Sequence, residues 1–449
     1  MKILAIETSC DETAIALVNV SEKKGKTQFK ILANEVSSQI AIHAQYGGVF
    51  PAMAKREHSK NILNILKKVL KDSKKLKNKK NNISTATKNK LSKILKREGA
   101  LFEEFINFLS ETKKPDIDAI SVTTGPGLEP ALWVGISFAK ALSLGWGLPL
   151  VPVNHMEGHI FSVFPDKKNT FTIDNKKENF PTISLLVSGG HTEIVLMKDF
   201  MKYKIIGKTR DDAAGEAFDK VARMLDLPYP GGPEISKLAA KERSEEISKF
   251  SRELGNIAFG ELVSSTERAR GIFQQKNIRV SKSSIPSEFI ILPRPMINSK
   301  DYDFSFSGLK TAVLYLIKDL KEKYNDKELI KLYGPNSNWK QKIAHEFENS
   351  VVEVLVSKTI KAIKENRAKV VIVGGGVSAN IYLQQELTEA IKKIDLSSWT
   401  TKKIKVHFPS KNLTGDNALM IAVAGYYQFK NKKIAKNLNK VKANGNLSL

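Results

Sequence analysis

Two histidines four residues apart stand in Asn154-His155-Met156-Glu157-Gly158-His159. On a helix, positions i and i+4 share one face, so both imidazoles can reach one metal ion. Chance and core packing also produce such pairs, but these are two of only seven histidines in the chain. A zinc peptidase of the HExxH kind needs glutamate directly after its first ligand. Met156 stands there instead, and Glu157 falls about 200° round the helix from His155 at 100° per residue. Peptide hydrolysis therefore fails at its general base. The best third ligand lies in Thr414-Gly415-Asp416-Asn417. Asp416 either projects a carboxylate towards the histidines or, like Thr414, caps the helix expected to begin there. Spacing alone leaves both readings open. Two histidines and an aspartate with open positions suit Fe2+ or Zn2+ and leave room for substrate oxygens.

Two glycine-rich segments suit phosphate. Leu186-Val187-Ser188-Gly189-Gly190-His191-Thr192 reads as strand, turn and strand, with Ser188 and Thr192 adding hydroxyls. Val373-Gly374-Gly375-Gly376-Val377-Ser378-Ala379-Asn380 runs from a strand into a helix, whose first amides and dipole favour a nucleotide. Neither is a Walker A loop or a dinucleotide fingerprint, since the lysine and the spacings differ. Asp11 and Glu12 occupy an early turn, where one of them can orient a substrate or accept a proton from an attacking amine. Turn carboxylates are more often simply solvated. Asp219 in DDAAGEAFDK and Gly232 in YPGGP can contact a ribose, or be a surface acid and a turn glycine. Cys10 has no evident partner and is expected to be inert.

These residues must be held by regular elements, and the apolar pattern supplies them. Strands are expected at Lys2–Thr8, Thr13–Val20 and Phe29–Gln39, then a helix at about Ala52–Leu70 and a lysine-rich stretch to about Lys96 with little apolar periodicity. Strand Ile117–Thr123, the Gly125-Pro126-Gly127 turn, helix Ala131–Leu144 and strand Leu148–Val153 follow. The second half repeats the order: strands Thr182–Ser188, Thr192–Met197 and Tyr203–Lys208, then helix Gly215–Leu225 and an irregular insert to about Pro295. Helices at about Phe306–Asp319 and Trp339–Glu365, strand Lys369–Val373, helix Ala379–Lys392, strand Ile404–Phe408 and helix Asp416–Phe429 complete it. A meander followed by helix, strand, helix and strand, twice over, is a duplicated α/β pattern with a cleft between two lobes. It points to the actin-like ATPase (ribonuclease-H-like) superfold, which by itself does not fix the chemistry. The first lobe is expected over residues 1–153, with an insert at about 71–114 and completion by a helix at about 416–430. The second spans 154–415, with inserts at about 165–180 and 241–300, and residues 431–449 form a basic tail.

Composition bounds the rest. At 449 residues and roughly 150 per domain, two or three domains with proper cores are expected. A single cysteine excludes a disulfide framework and any zinc site built from several thiolates. Acidic residues arrive early in MKILAIETSCDE, and no stretch approaches the roughly 18 apolar residues of a membrane helix. A soluble, cytoplasmic protein without a membrane partner is expected. The net charge of +25 is uneven: residues 67–97 carry a net +12, and residues 429–449 hold six lysines and no acid. Clustered cations suit a phosphate backbone. Lysine outnumbers arginine 61 to 11, however, as in a compositional bias, so nucleic-acid contact and a solvated appendage both stay open.

Together these motifs resemble one family, the tRNA N6-threonylcarbamoyladenosine transferases of the bacterial TsaD type, once read as O-sialoglycoprotein endopeptidases. The matching blocks are IETSCDET, HAQYGGVFPAMAKREH, TTGPGL, NHMEGH, LLVSGGHTEIV, DDAAGEAFDKVARMLDLPYPGGP, FSFSGLKTA, VIVGGGVSAN and TGDNALMIA, in family order. The resemblance implies transfer of a threonylcarbamoyl group from threonylcarbamoyl-AMP to N6 of the adenosine immediately 3′ of the anticodon, in tRNAs that read codons beginning with A, with release of AMP. It implies a divalent metal, Fe2+ ahead of Zn2+, on His155, His159 and Asp416. It implies substrate contacts from Leu186, Val187, Ser188, Gly189, Gly190, Asp219, Gly232 and Asn380, and a functional acidic pair in Asp11 and Glu12. It also implies two partners, a TsaB-like inactive paralogue and a TsaE-like ATPase. Ala52 stands where the family usually has glutamate, Glu129-Pro130 replaces small residues after GPGL, and the lysine-rich insert is expected to supplement tRNA binding. The competing readings are an ATPase or kinase of the same superfold, which leaves the paired histidines unexplained, and a non-catalytic scaffold, which would have lost the metal ligands.

Overall fold

The segment Lys2–Glu7 is apolar at almost every position, the pattern of a strand covered on both faces. In the computed structural model, which describes residues 1–23, 25–165, 169–174, 176–253, 290–325, 339–397 and 402–449, it is the third strand of a six-stranded sheet. β1 (Lys2–Glu7), β2 (Glu12–Lys23) and β3 (Lys26–Ser38) form an antiparallel meander. α1 (Ile40–Ala44), α2 (Pro51–Asp72), α3 (Thr85–Ile94) and α4 (Gly99–Glu111) follow. Then come β4 (Ala119–Gly125), α5 (Glu129–Trp146), β5 (Leu150–Asn154), α6 (His155–Phe161) and β6 (Thr170–Ile173). The sheet order is β5-β4-β1-β2-β3-β6, with β4 parallel to both β1 and β5.

The second half builds the same object. β7 (Thr182–Val187), β8 (Thr192–Asp199) and β9 (Lys202–Lys208) form its meander, followed by α7 (Ala214–Met224), α8 (Gly231–Glu253), α9 (Ser307–Lys323) and α10 (Trp339–Asn366). β10 (Val370–Gly374), α11 (Ile381–Lys392), β11 (Lys405–His407) and α12 (Ala418–Lys430) end the regular structure. The second sheet runs β11-β10-β7-β8-β9, which repeats the first five strands of the first sheet position for position. This is the duplicated, two-lobed α/β fold of the actin-like kind, read from the strand order itself. The last helix returns to the first sheet: Leu419, Ile421, Val423 and Tyr427 are buried with Ile3, Ala5, Ala14 and Val18.

Several expectations are corrected. The lysine-rich stretch is not without pattern, because Leu91 and Leu95 are buried around α3, as are Leu101, Phe105, Phe108 and Leu109 in α4. They join the core that holds Phe138 and Leu142 of α5. Exposed lysines between the apolar positions hid a helical period. The segment expected to be irregular after Leu225 opens with helix α8, and residues 170–173 add edge strand β6 against β3. Helix α12 starts at Ala418 and helix α11 at Ile381, each two residues later than expected. Residues 254–289 of the insert expected at 241–300, and 166–168 and 175 of that at 165–180, lie outside the described residues.

Candidate active site

Asn154 ends β5 and caps α6: its Oδ1 accepts from the amides of Met156 at 2.8 Å and Glu157 at 3.4 Å. That cap makes His155 the first helical residue and sets His159 one turn on, both buried, with ring centroids 4.5 Å apart. Asp416 comes from the far end of the chain, two residues before α12, whose Met420 and Ile421 lie against Gly158. Its Oδ1 lies 3.3 Å from His155 Nε2 and 3.4 Å from His159 Nε2. The cap reading of Asp416 and Thr414 falls away. Asn417 is the N-cap, its Oδ1 accepting from Met420 N at 3.1 Å, while the Thr414 hydroxyl bonds back to the Lys411 carbonyl.

The three side chains offer ligand atoms that all lie within 4.8 Å of one another. Both nitrogens of the buried His159 ring lack a hydrogen-bond partner, an arrangement that is costly unless something else binds them. His155 is oriented from behind, its Nδ1 lying 3.2 Å from Glu7 Oε2. Glu7 also accepts from the Ser9 amide and the Thr123 hydroxyl, each at 2.5 Å. A carboxylate on the outer nitrogen of a ligand histidine fixes the tautomer that leaves Nε2 free. Burial alone would strip His155 of its proton, but the Asp416 and Glu7 carboxylates hold its proton affinity well above that of a free imidazole. Burial and the neighbouring His155 push His159 down. Burial would raise Asp416, yet the close His155 ring, with His159 beside it, holds it well below the usual carboxylate range. The donor set, two imidazoles and one carboxylate, fits a divalent ion.

Glu157 points elsewhere, as its place on the helix implies. Its carboxylate accepts from Tyr203 OH at 3.0 Å and Gln428 Nε2 at 2.6 Å, tying α6 to β9 and α12. Met156 is 2% exposed and belongs to the apolar cluster beneath the helix. No general base stands where a peptidase would need it.

The Cys10-Asp11-Glu12 turn joins β1 to β2 beside this cluster, since Ser9 Oγ donates to Asp416 Oδ2 at 3.2 Å. Burial, then the charges of Asp11 and Asp416, pushes Glu12 well above an ordinary glutamate. Burial and the same carboxylates raise the Cys10 thiol well above its usual range, which keeps it protonated and unreactive. The turn is braced by a chain that sequence reasoning missed. His58 of α2 meets the Cys10 carbonyl through Nε2 at 3.0 Å and Thr13 Oγ1 through Nδ1 at 2.7 Å. Gln39 links it to His43. Burial lowers the His58 pKa, in keeping with a neutral ring that donates from Nε2 and accepts at Nδ1. Glu7 and His58 were legible only as members of quoted motifs, because nothing in their spacing marks them.

The second lobe supplies the glycine loops. Leu186 and Val187 are the buried end of β7, and Gly189 and Gly190 stand open in the hairpin turn. Ser188 N is already bonded to the His191 carbonyl, and Ser188 Oγ accepts from His191 N. Thr192 does not offer its hydroxyl as expected: it is buried and accepts from Ala214 N at 2.9 Å, holding the start of α7. His191 is pushed down to about 4 by burial and by His155 and His159. It stands as a neutral imidazole at the junction of the two lobes. Gly375, at φ +88°, lets the second loop pass within 2.4 Å of the Val187 carbonyl, measured from where a Cβ would sit, so the two loops touch.

Asp219 is not a surface acid. Its Oδ1 accepts from Gly231 N at 2.7 Å at the start of α8, beside Gly232. Burial raises its pKa while the Gly231 and Gly232 amides oppose the rise. Asn380 caps α11 through the Leu383 amide, and its Nδ2 donates to Glu348 Oε1 at 2.7 Å and Ser236 Oγ at 3.0 Å. Its side chain is fully engaged within the second lobe.

A family model described as "TsaD: tRNA N6-adenosine threonylcarbamoyltransferase" matches residues 30–88, 99–256 and 245–423. A protein of that name from Thermosipho africanus is 39% identical over 430 residues, covering 96% of this chain and 95% of the relative. One from Staphylococcus carnosus is 37% identical over 429 residues, covering 95% and 91%. Among solved structures, a ROK hexokinase from Thermus thermophilus aligns with 11% identity and a TM-score of 0.40, covering 96% of this chain and 100% of that one.

Proposed function

The chain belongs to the tRNA N6-adenosine threonylcarbamoyltransferase family and is a transferase that modifies tRNA, and from that premise we propose its donor, its metal and the roles of its site residues. The donor in this reading is threonylcarbamoyl-AMP. The observation that carries the reading is the buried His155–His159–Asp416 cluster with the unpartnered nitrogens of His159. These three residues hold one divalent ion, Fe2+ ahead of Zn2+, with Glu7 orienting His155. When bound, such an ion supplies Lewis-acid polarisation of an acyl-phosphate oxygen.

The chain's own groups do the rest. The open turn at Gly189–Gly190, with Leu186, Val187 and Ser188 behind it, receives the adenylate phosphate through main-chain amides. Asp219 and Gly232 lie towards its ribose, and Asn380 holds the loop that borders it. The adenosine N6 attacks the carbamoyl carbon, a C–N bond forms, the C–O bond to the phosphate breaks, and AMP leaves. The proton released from N6 goes to Glu12, whose proton affinity burial and the neighbouring Asp11 raise above that of an ordinary glutamate. No protein nucleophile takes part. The TsaB-like paralogue and the TsaE-like ATPase enter from the family resemblance. Cytoplasmic location is consistent with the described helices, none of which is long and apolar enough to cross a membrane.

The test is an assay of purified protein with threonylcarbamoyl-AMP and unmodified tRNA bearing an ANN-reading anticodon, with and without the two partners, read by nucleoside mass spectrometry. Modified nucleoside is expected from wild type and not from His155→Ala. ATP turnover without tRNA, and no modified nucleoside even with partners, would overturn the reading.

A further inference from the structure

The two basic segments of the sequence, nearly four hundred residues apart at their far ends, meet on one face of the first lobe. After α12 the chain folds back instead of leaving as a solvated tail. Ala435 N donates to the Leu150 carbonyl at 2.8 Å, Asn444 N to Thr124 at 2.9 Å, and Asn154 Nδ2 to the Ser448 carbonyl at 3.1 Å. Val441 is 6% exposed and buried in the core beneath α5. Gly125, at φ +146°, admits the crossing: a Cβ there would sit 1.9 Å from the Asn444 carbonyl oxygen. Between this strap and the start of α5 lies a groove of about 690 Å³, with Thr124 and Glu129 on one wall and Lys436, Lys440 and Lys442 on the other.

The insert reaches the same face. Arg97, between α3 and α4, lies over the Trp133 ring of α5 with its guanidinium carbon 4.6 Å from the centroid, and Lys140 Nζ lies 5.3 Å from the same ring. Burial lowers the Lys140 pKa, and the next causes are the charges of Arg97 and Lys442, which places insert, helix and tail in one electrostatic field. Helix α3, which precedes Arg97, carries the exposed Lys88, Lys90 and Lys93. Among the described residues, none of Arg97, Lys140, Lys436, Lys440 and Lys442 forms an ion pair with a carboxylate; the neighbouring Glu98 is taken by Lys55. Glu129 is the one acid lining the groove. Like charges held together without counter-charges call for an anion from outside.

We propose that the groove between the folded-back tail and the start of α5, together with Arg97 of the insert on the adjoining face of α5, binds the phosphate backbone of the substrate tRNA. The proposal rests on the tRNA-modifying reading above. The position supports it, because Thr124 at the end of β4 lines the groove and the next residue, Gly125, pairs with Asn154, directly before His155. The composition fits as well, since lysines are point charges suited to sequence-independent phosphate contact. Arg97 and the three tail lysines fall outside the residues that the family model matches.

The test compares wild type, a Lys436→Gln/Lys440→Gln/Lys442→Gln variant, the same variant with Arg97→Gln, and a control. The control, Lys321→Gln/Lys323→Gln/Lys364→Gln, removes equal charge from exposed positions of the second lobe. tRNA affinity is measured from low to high salt, with kcat and KM in the modification assay and melting temperature to check folding. The groove variants are expected to bind at least tenfold more weakly, with a salt slope shallower by about 0.7–0.9 per lost phosphate contact. KM should rise at unchanged kcat, and the control should match wild type. A groove variant that modifies tRNA with unchanged affinity and slope, or a control that weakens equally, overturns the groove and leaves the transferase reading intact. Loss of binding to an acidic protein partner with tRNA affinity unchanged overturns it too. A wild type that neither binds nor modifies tRNA takes down both.

Discussion

At the scale of single residues, the site depends on carboxylates that do different work in one small space. Glu7 has no substrate to touch; it holds His155 Nδ1 and is itself held by Ser9 and Thr123. Glu7→Gln is expected to leave the fold intact and to weaken metal binding about 10–100-fold, measured by chelator competition. Unchanged affinity would remove Glu7 from that role. Glu12 is different, since burial and Asp11 push its pKa up; as the proposed base it would lose its deprotonated form as pH falls through that raised value. Glu12→Gln is expected to lower kcat by roughly 10²–10⁴ and abolish the acid limb of the pH–rate profile. Asp11→Asn removes a negative neighbour, lowers the Glu12 pKa and moves the limb to lower pH. A limb that survives unchanged in Glu12→Gln would assign the proton to another group.

Among elements, capping decides where ligands stand. Asn417 caps α12 and also donates to the Gly415 carbonyl at 2.9 Å, bracing the loop that carries Asp416. Asn417→Ala is expected to cost about 1 kcal/mol in urea unfolding, and to weaken metal binding in the same protein. Normal affinity at reduced stability would show that the loop holds itself. The insert helices α3 and α4 make a second case. Lysines crowd the segment before them, whereas their packing lies in Leu91, Leu95 and Phe105, buried in one core with α5. Phe105→Ala is expected to destabilise the protein by about 3–5 kcal/mol. A cost near zero in urea would restore the view of the segment as an appendage. Helix α3 was hard to read because its apolar positions are few and stand among lysines, whereas α4, GALFEEFINFLSE, carries a plain apolar period without a lysine. Strands β1 and β7, by contrast, are mostly apolar and almost wholly buried, and were placed to within a residue.

At the scale of the whole molecule, the site is assembled from both ends of the chain. Ser9 and Asp416, 407 residues apart, share a hydrogen bond, and the histidines stand between them on α6. A metal bound there ties β5, α6 and the start of α12 into one unit, so binding and stability are linked. At a free metal concentration a hundred times Kd, the stabilisation is about 2.7 kcal/mol. Removing metal with a chelator is expected to lower the melting temperature by a few degrees, with recovery on adding Fe2+ or Zn2+. His159→Ala should show no such response. An identical response in that variant would place the metal elsewhere.

The sequence by itself determined the paired histidines, because helical spacing is a local property. It determined the repeated strand order, because strands buried on both faces show it in their composition. It excluded the peptidase reading through one residue, Met156. Tertiary structure alone decided what depends on distant neighbours. Of the two readings open for Asp416, the cap fell away because Asn417 took it, and Thr192 was withdrawn from the cleft because Ala214 needed its hydroxyl. Asn380 and Asp219 turned out to be bound within their own lobe, and the basic tail proved to be folded against α5. Each of these outcomes is a competition for one hydrogen bond or one buried face, and such a competition is settled only when the competing groups are brought together in space.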